Sequence, residues 1–231
     1  LQSISNKTVR NIELIDKEKT ITVVTGQQLG ILGGPLYTIY KIITAIRLAN
    51  QLTERYDEFK FVPVFWLEGD DHDFNEVRSI KLFDNENRVI NIGYKEVIDD
   101  DDAKQSIGKI NFDEALNEFF SKYESSLRES DFKIELLTKL KECYQVGKSF
   151  KQSFKELIYW LFDEYGLVIF DPQDVEVKSM LRPIFKKEVN DFAIHTQKLI
   201  QVSAKLEELY HAQVKVKPVN LFYHTEEGRY S

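Results

Sequence analysis

The spacing of apolar residues along this chain switches between two periods, and the switches divide it into strands and helices. The run "ITVVTG" (21 to 26) is short and β-branched, the composition of a buried, pleated strand. It feeds a loop, "GQQLGILGGP", with glycines at 26, 30, 33 and 34. Pro35 then suits a helical first turn, where its missing N–H costs nothing. The helix "PLYTIYKIITAIRLANQLTERY" repeats Leu36, Ile39, Ile43, Ile46 and Ala49 at three- and four-residue steps, which predicts one buried stripe. "FKFVPVFWLE" follows as a second strand, so the three pieces form a βαβ unit, expected to cross over right-handed.

Further along, "SIKLFDNENRVINIGYK" (79 to 95) reads as two strands around an Asp-Asn-Glu-Asn turn. The acidic run Asp99 to Asp102 reads as a solvated loop tip. From Asn111 to Tyr165 the period is helical, and Gly166 supplies a C-cap. "LVIFDPQD" is a third apolar strand ending in acid and proline. A long helical stretch follows from Val175 to about Tyr210, with Pro183 near its first turns or at a kink. Its apolar residues, from Val177, Met180 and Leu181 through Phe192 to Leu206 and Leu209, make a broad face rather than a strict heptad seam. Packing on the chain's own core is the expectation. "QVKVKPVNLFYH" alternates like a strand.

Apolar strands that alternate with helices indicate an α/β fold with a parallel sheet. Residues 1–110 make the first part of its core with the inserted hairpin, 111–165 a helical insertion, and 166–231 the continuation with the long helix. Ligands of such sheets bind at the carboxyl ends of strands. The glycine loop, the run "GDDHD" and Asp171 all follow strands, so they should share one edge.

Composition narrows the classes. The chain has 231 residues, 42% hydrophobic and 30% charged, which is a globular balance. Its formal charge is 31 − 38 = −7 without a basic run, which argues against nucleic acid and anionic membranes. No apolar window reaches the ~18 residues of a membrane span, and no signal-peptide pattern opens the chain. A cytoplasmic location is expected. One cysteine, Cys143, excludes an internal disulfide and a Cys-rich zinc site. On its helical pattern it reads as a small buried hydrophobe. Without a start methionine, and closing just after a strand pattern, the chain reads as a piece of a longer protein.

Two stretches carry candidate chemistry. The glycine loop and the helix beginning at Pro35 could bind an anion through free N–H groups and the helix dipole, or could be only a tight turn. Gln27 and Gln28 favour the ligand, because adjacent amides are good hydrogen-bonding groups and poor core residues. The spacing matches neither standard nucleotide motif. Lys41, about two turns into the helix, is expected to reach for solvent instead. The second stretch holds Asp70, Asp71, His72 and Asp73 directly after a buried strand. It could ligate a metal, though adjacent residues diverge and no metal is expected. Asp71 or Asp73 could cap "FNEVRSI", with Glu76 completing a box-like pattern. It could also anchor a substrate amine or sugar hydroxyls, with His72 as acid or base. Phe65 and Trp66 are core or pocket wall.

Taken together, "TGQQLGILGGPLYTIYK", "VPVFWLEGDDHDFNEV" and "QVKVKPVNLFYHTEEGRY" closely resemble the bacillithiol-biosynthesis cysteine-adding enzymes, over about the N-terminal half of such a protein. The resemblance implies a Rossmann-like core, incomplete in this piece, and a ligase that joins cysteine to glucosaminyl-malate as an amide. The cofactor is left open, with ATP the candidate. It also implies a homodimer held by a coiled-coil arm lying mostly beyond residue 231. On this reading Asp71, His72 and Asp73 are the catalytic candidates. Gly26, Gln27, Gln28, Gly33, Gly34, Tyr37, Asp70, Asp171 and Asn220 are the substrate-binding ones. One departure is that class I adenylylating enzymes carry histidines after the first strand, and "GQQLGILGGP" has none. A nucleotidyltransferase or nucleotide-binding hydrolase on the same fold is the alternative enzyme, and a ligand-binding piece without catalysis is the third reading.

Overall fold

A computed structural model describes residues 4–71, 73–95, 105–225 and 228–230, and the chain forms two compact units, Leu1–Pro172 and Gln173–Ser231. In order, the first unit runs α1 (Asn6–Ile15), β1 (Thr20–Gln28), a 3-10 turn (Ile31–Gly33), α2 (Tyr37–Arg55), β2 (Lys60–Glu68) and α3 (Phe74–Val77). The hairpin β3 (Ser79–Phe83) and β4 (Val89–Gly93) follows, then a 3-10 turn (Ile107–Lys109), α4 (Ala115–Ser126), α5 (Lys133–Cys143), α6 (Phe150–Phe162) and β5 (Val168–Phe170). The acidic run Asp99 to Asp102 lies outside the described residues.

Strands β1, β2 and β5 form a parallel sheet in the order β1-β2-β5, with Gln28 opposite Glu68 and Trp66 opposite Phe170. The fold is therefore α/β with a parallel sheet, as the alternation of apolar strands and helices requires. Successive residues of β2 face opposite sides. Val62 and Val64 pack with Val168 and with Leu14 of α1. Phe65 and Leu67 enter a larger core shared with α2, the hairpin and α4–α6. Aromatic rings fill that core: Phe65 stacks on Phe154 with centroids 6.0 Å apart, and Phe112 on Phe150 at 4.2 Å. Phe65 is thus core, whereas Trp66 is 40% exposed.

The α2 stripe is displaced from the one expected. Thr38, Ile42, Ala45, Ile46 and Ala49 are buried, while Leu36 is 66% exposed and Ile43 is also exposed. Apolar residues lie on two overlapping stripes of this helix, and only the sheet behind it selects one. Helix α1, which the periodicity did not reveal, is anchored through its cap. Ser5 Oγ accepts from Thr8 N–H and donates to the Asp163 carbonyl. Gly166 ends the α6 segment in the left-handed conformation expected of a C-cap.

The second unit contains α7 (Val175–Met180), α8 (Arg182–Glu207) and a short antiparallel pair, β6 (Tyr223–Thr225) and β7 (Gly228–Tyr230). The predicted long helix breaks at Leu181, and Pro183 sits in the first turn of α8, where it is tolerated. The broad apolar face expected of this stretch is not buried within its own unit. No residue of α7 or α8 is buried, and Met180, Ile184, Ile194 and Val202 are exposed. Residues 213–222 are not a strand. Hydrogen bonds tie them to α8 instead: Thr196 Oγ1 donates to the Pro218 carbonyl, and Asn220 donates to Glu188.

Candidate active site at the carboxyl ends of β1 and β2

Because the strands are parallel and in register, the chain leaves β1, β2 and β5 along one edge of the sheet. Gln27 and Gln28 are not loop residues. They are the last two positions of β1, whose pairing with β2 extends through Gln28, after which Leu29 N–H donates to the Glu68 carbonyl. Strand alternation sends the two amides to opposite sides. Gln28 Nε2 donates to Asp71 Oδ2. Gln27 turns to α2, donating from Nε2 to the Tyr37 hydroxyl at 3.0 Å and accepting at Oε1 from Lys41 Nζ at 3.0 Å. Lys41 also donates to the Gly26 carbonyl at 3.0 Å and lies 5.4 Å from the centre of the Tyr37 ring. Lys41 stays exposed, as expected, and its ammonium also bonds back to the strand end. Just over one turn into α2, it lies beside the strand end, where two carbonyl oxygens hold it.

The turn between β1 and α2 is closed on itself. Leu32, Gly33 and Gly34 all have positive φ (52, 90 and 70°), and Gly34 folds back onto Gly30. Gly33 N–H is bound by the Gly30 carbonyl at 3.1 Å and by the buried Tyr144 hydroxyl at 3.3 Å; Gly34 N–H is bound by the Ile31 carbonyl. Those two amides, expected to cradle an anion, are therefore engaged within the protein. Burial pushes the Tyr144 phenol well above its ordinary range, so its oxygen stays a neutral acceptor.

Beside this turn opens a cavity of about 390 Å³. Gln27, Gln28, Gly30, Gly34, Leu36 and Tyr37 line one side, and Glu76, Ser79, Ile80 and Lys81 the other. Ser79 and Lys81 were missed in the sequence. Their signal was position: they open a strand that starts right after α3, and Ile80 between them lines the cavity as well.

The acidic run divides its labour, and its members diverge as adjacent residues must. Asp73 is the α3 N-cap, accepting from Glu76 N–H at 3.3 Å. Asp70 accepts from Ser106 Oγ at 3.1 Å, and with the Gly69 and Asp71 carbonyls it secures the 3-10 turn at 107–109. Asp71, half-buried, is the one that turns to β1. His72 lies outside the described residues. Asp171 follows β5 at the same edge and pairs with Lys151 at 2.8 Å. Asn220 belongs to the second unit, where its backbone and side-chain N–H groups donate to Glu188. These bonds and His195 hold the Glu188 carboxyl below its usual range.

Cys143 is buried in the core, and burial pushes its thiol up to about 11, the wrong direction for a nucleophile. Among the described residues no His, Cys, Asp and Glu side chains gather as a metal site, and no helix is long and apolar enough to cross a membrane.

The full chain, residues 1–231, matches the family described as bacillithiol biosynthesis BshC, N-terminal Rossmann-like domain. Among its relatives, proteins named "Putative cysteine ligase BshC" are 37% identical in Chloroherpeton thalassium, across 96% of this chain and 40% of the relative. The relative of that name in Salinibacter ruber is 32% identical, across 99% of this chain and 41% of its own. In Chlorobaculum tepidum the figures are 34%, 97% and 40%. The chain thus spans about 40% of the length of the curated relatives it matches.

Proposed function

The chain belongs to the bacillithiol biosynthesis BshC family, as its N-terminal Rossmann-like domain, and we propose that it provides the substrate-binding edge of a cysteine ligase. The reaction proposed for the whole protein couples the carboxyl of cysteine to the amine of glucosaminyl-malate. The observation that carries this reading is the Gln28–Asp71 bond, which joins the end of β1 to the β2–α3 loop beside the cavity. An amine attacks only as the free base, so the site must hold an ammonium and then accept its proton. Asp71, bonded to the cavity-lining Gln28, is the candidate for the first task, and His72, its neighbour in sequence, for the second. Tyr37 on the α2 side and Lys81 on the β3 side give the cavity donors that suit the malate carboxylates.

ATP is the candidate for activating the cysteine carboxyl. The engaged amides of Gly33 and Gly34 leave the β1–α2 turn poorly suited to hold its phosphates, and this weighs against a nucleotidyltransferase centred on that turn.

The test uses the full-length protein with L-cysteine and glucosaminyl-malate, with and without ATP, and mass detection of the thiol product. Asp71→Ala and His72→Ala should each lower turnover by ~10²–10⁴, the usual weight of a positioned acid or base, with little change in melting temperature. Normal turnover in both variants refutes the assignment. Pyrophosphate release from ATP without cysteine would favour the nucleotidyltransferase instead.

A further inference from the structure

Lys41, Gln27 and Tyr37 form a chain of hydrogen bonds whose direction is set at one end. An ammonium only donates. The Gln27 atom 3.0 Å from Lys41 Nζ must therefore be the carbonyl oxygen, Oε1. The Gly26 carbonyl, also at 3.0 Å, keeps Nζ in place. With Oε1 turned to Lys41, the amide nitrogen of Gln27 faces Tyr37 and donates to its hydroxyl at 3.0 Å. A phenol carries one proton, and here its oxygen already accepts. The Tyr37 O–H is therefore left to donate to something else. Gln27 and Tyr37 both line the 390 Å³ cavity, together with Lys81.

The neighbouring amide has the opposite polarity. Gln28 gives its N–H to Asp71, so the carbonyl edge of Gln28 remains as an acceptor. Two adjacent glutamines thus hand the cavity a donor on the α2 side and an acceptor on the β2–α3 side.

We propose that Lys41 is a positioning residue that sets the direction of this chain, making Tyr37 a hydrogen-bond donor to the cavity and selecting a carboxylate on the α2 side. Without Lys41 the Gln27 amide can turn over, and Tyr37 then points its proton inward as readily as outward. The inference rests on reading the cavity as a substrate site, but not on which bond the enzyme makes.

Binding of L-malate to the full-length protein, followed by calorimetry against its neutral diamide, tests it without turnover. Loss of one hydrogen bond to a charged group should weaken L-malate binding by ~10–100-fold in Tyr37→Phe, with less effect on the diamide. Lys41→Met should weaken it too, and Lys41→Arg, which can still donate to both carbonyls, should largely restore it. Gln27→Glu is the sharper probe. A carboxylate accepts from Lys41 and from Tyr37 alike, so it pulls the phenol proton inward and should cost about as much as Tyr37→Phe. In the Tyr37→Phe background the same change should cost nothing further.

A Gln27→Glu penalty that persists in that background is simple charge repulsion and overturns the proposal. So do unchanged L-malate binding in Lys41→Met and the absence of saturable binding to the wild type. All three residues are at least partly exposed, and unchanged melting temperatures would confirm that the variants fold. A protein that shows this binding pattern but makes no thiol product refutes the ligase reading and leaves the inference about Lys41 standing.

Discussion

Alanine at Gly30 tests whether the turn that shapes the cavity is built on backbone contact. Gly30 has an ordinary extended backbone (φ −144°), so alanine meets no torsional penalty there. A Cβ at this position would instead lie 2.6 Å from Gly34 Cα and 3.1 Å from Gly34 N. Carbon atoms pack at about 3.5–4.0 Å, so the two arms of the turn must separate by roughly 1 Å. Neither arm is a flexible side chain that can swing away. Overpacking of this kind costs about 1–3 kcal/mol. Separation would also stretch the Gly33 and Gly34 hydrogen bonds and strand the buried Tyr144 hydroxyl, adding about 1 kcal/mol or more. We expect a total of roughly 2–4 kcal/mol.

The control is Gly147→Ala. Gly147 has φ +86° but nothing within 4 Å of its Cβ position, so alanine there meets strain without a clash, about 1–2 kcal/mol. Thermal unfolding of the two full-length variants should place Gly30→Ala below Gly147→Ala, with a loss of several degrees relative to wild type. Substrate binding should fall only in Gly30→Ala, because Gly30 and Gly34 line the cavity. If Gly30→Ala melts no lower than Gly147→Ala, the turn is more pliable than the close approach implies and the reasoning fails.

Asp73→Ala should cost about 0.5–2 kcal/mol through loss of the α3 cap, whereas Asp73→Asn keeps an acceptor and should retain both stability and turnover. An Asp73→Asn protein that is folded but inactive would show that the charge itself takes part in the chemistry. Cys143 should resist thiol reagents in the native protein at pH 8, as read by peptide mapping after labelling, because its thiol is buried and protonated. Its thiol pKa is raised on folding from 9.0 to about 11. The folded state holds the proton more tightly, so this contribution is complete below pH 9 and is lost as the pH rises toward 11. The melting temperature of wild type relative to Cys143→Ala should therefore fall over that interval. A constant difference would contradict the burial argument.

Local chemistry written in consecutive residues was legible without the structure. The apolar runs at 21–26, 59–68 and 167–170 became the three parallel strands, but only β2 is buried on both faces; β1, read as buried, is an edge strand with Ile21 and Val24 exposed. The hairpin at 79–93, the Gly166 cap, the buried Cys143 and the shared edge of the strand ends followed from equally local rules. Phase and direction were not legible. Two apolar stripes compete along α2, and the choice between Ile42 and Ile43 is made by the sheet behind the helix. Alternation along "QVKVKPVNLFYH" gave a strand pattern, but a strand needs a neighbour; only its last two residues find one, in β7, and over 213–222 bonds to α8 took its place. Within "GDDHD" the residue types left capping, anchoring and ligation open. Only the positions of Glu76, Ser106 and Gln28 separated the cap from the anchor and from the residue that faces β1. Lys41 is the plainest case: its spacing from Gly26 in sequence says nothing about reach, because the helix must first fold back against β1 before the ammonium and the strand's last carbonyl groups can meet.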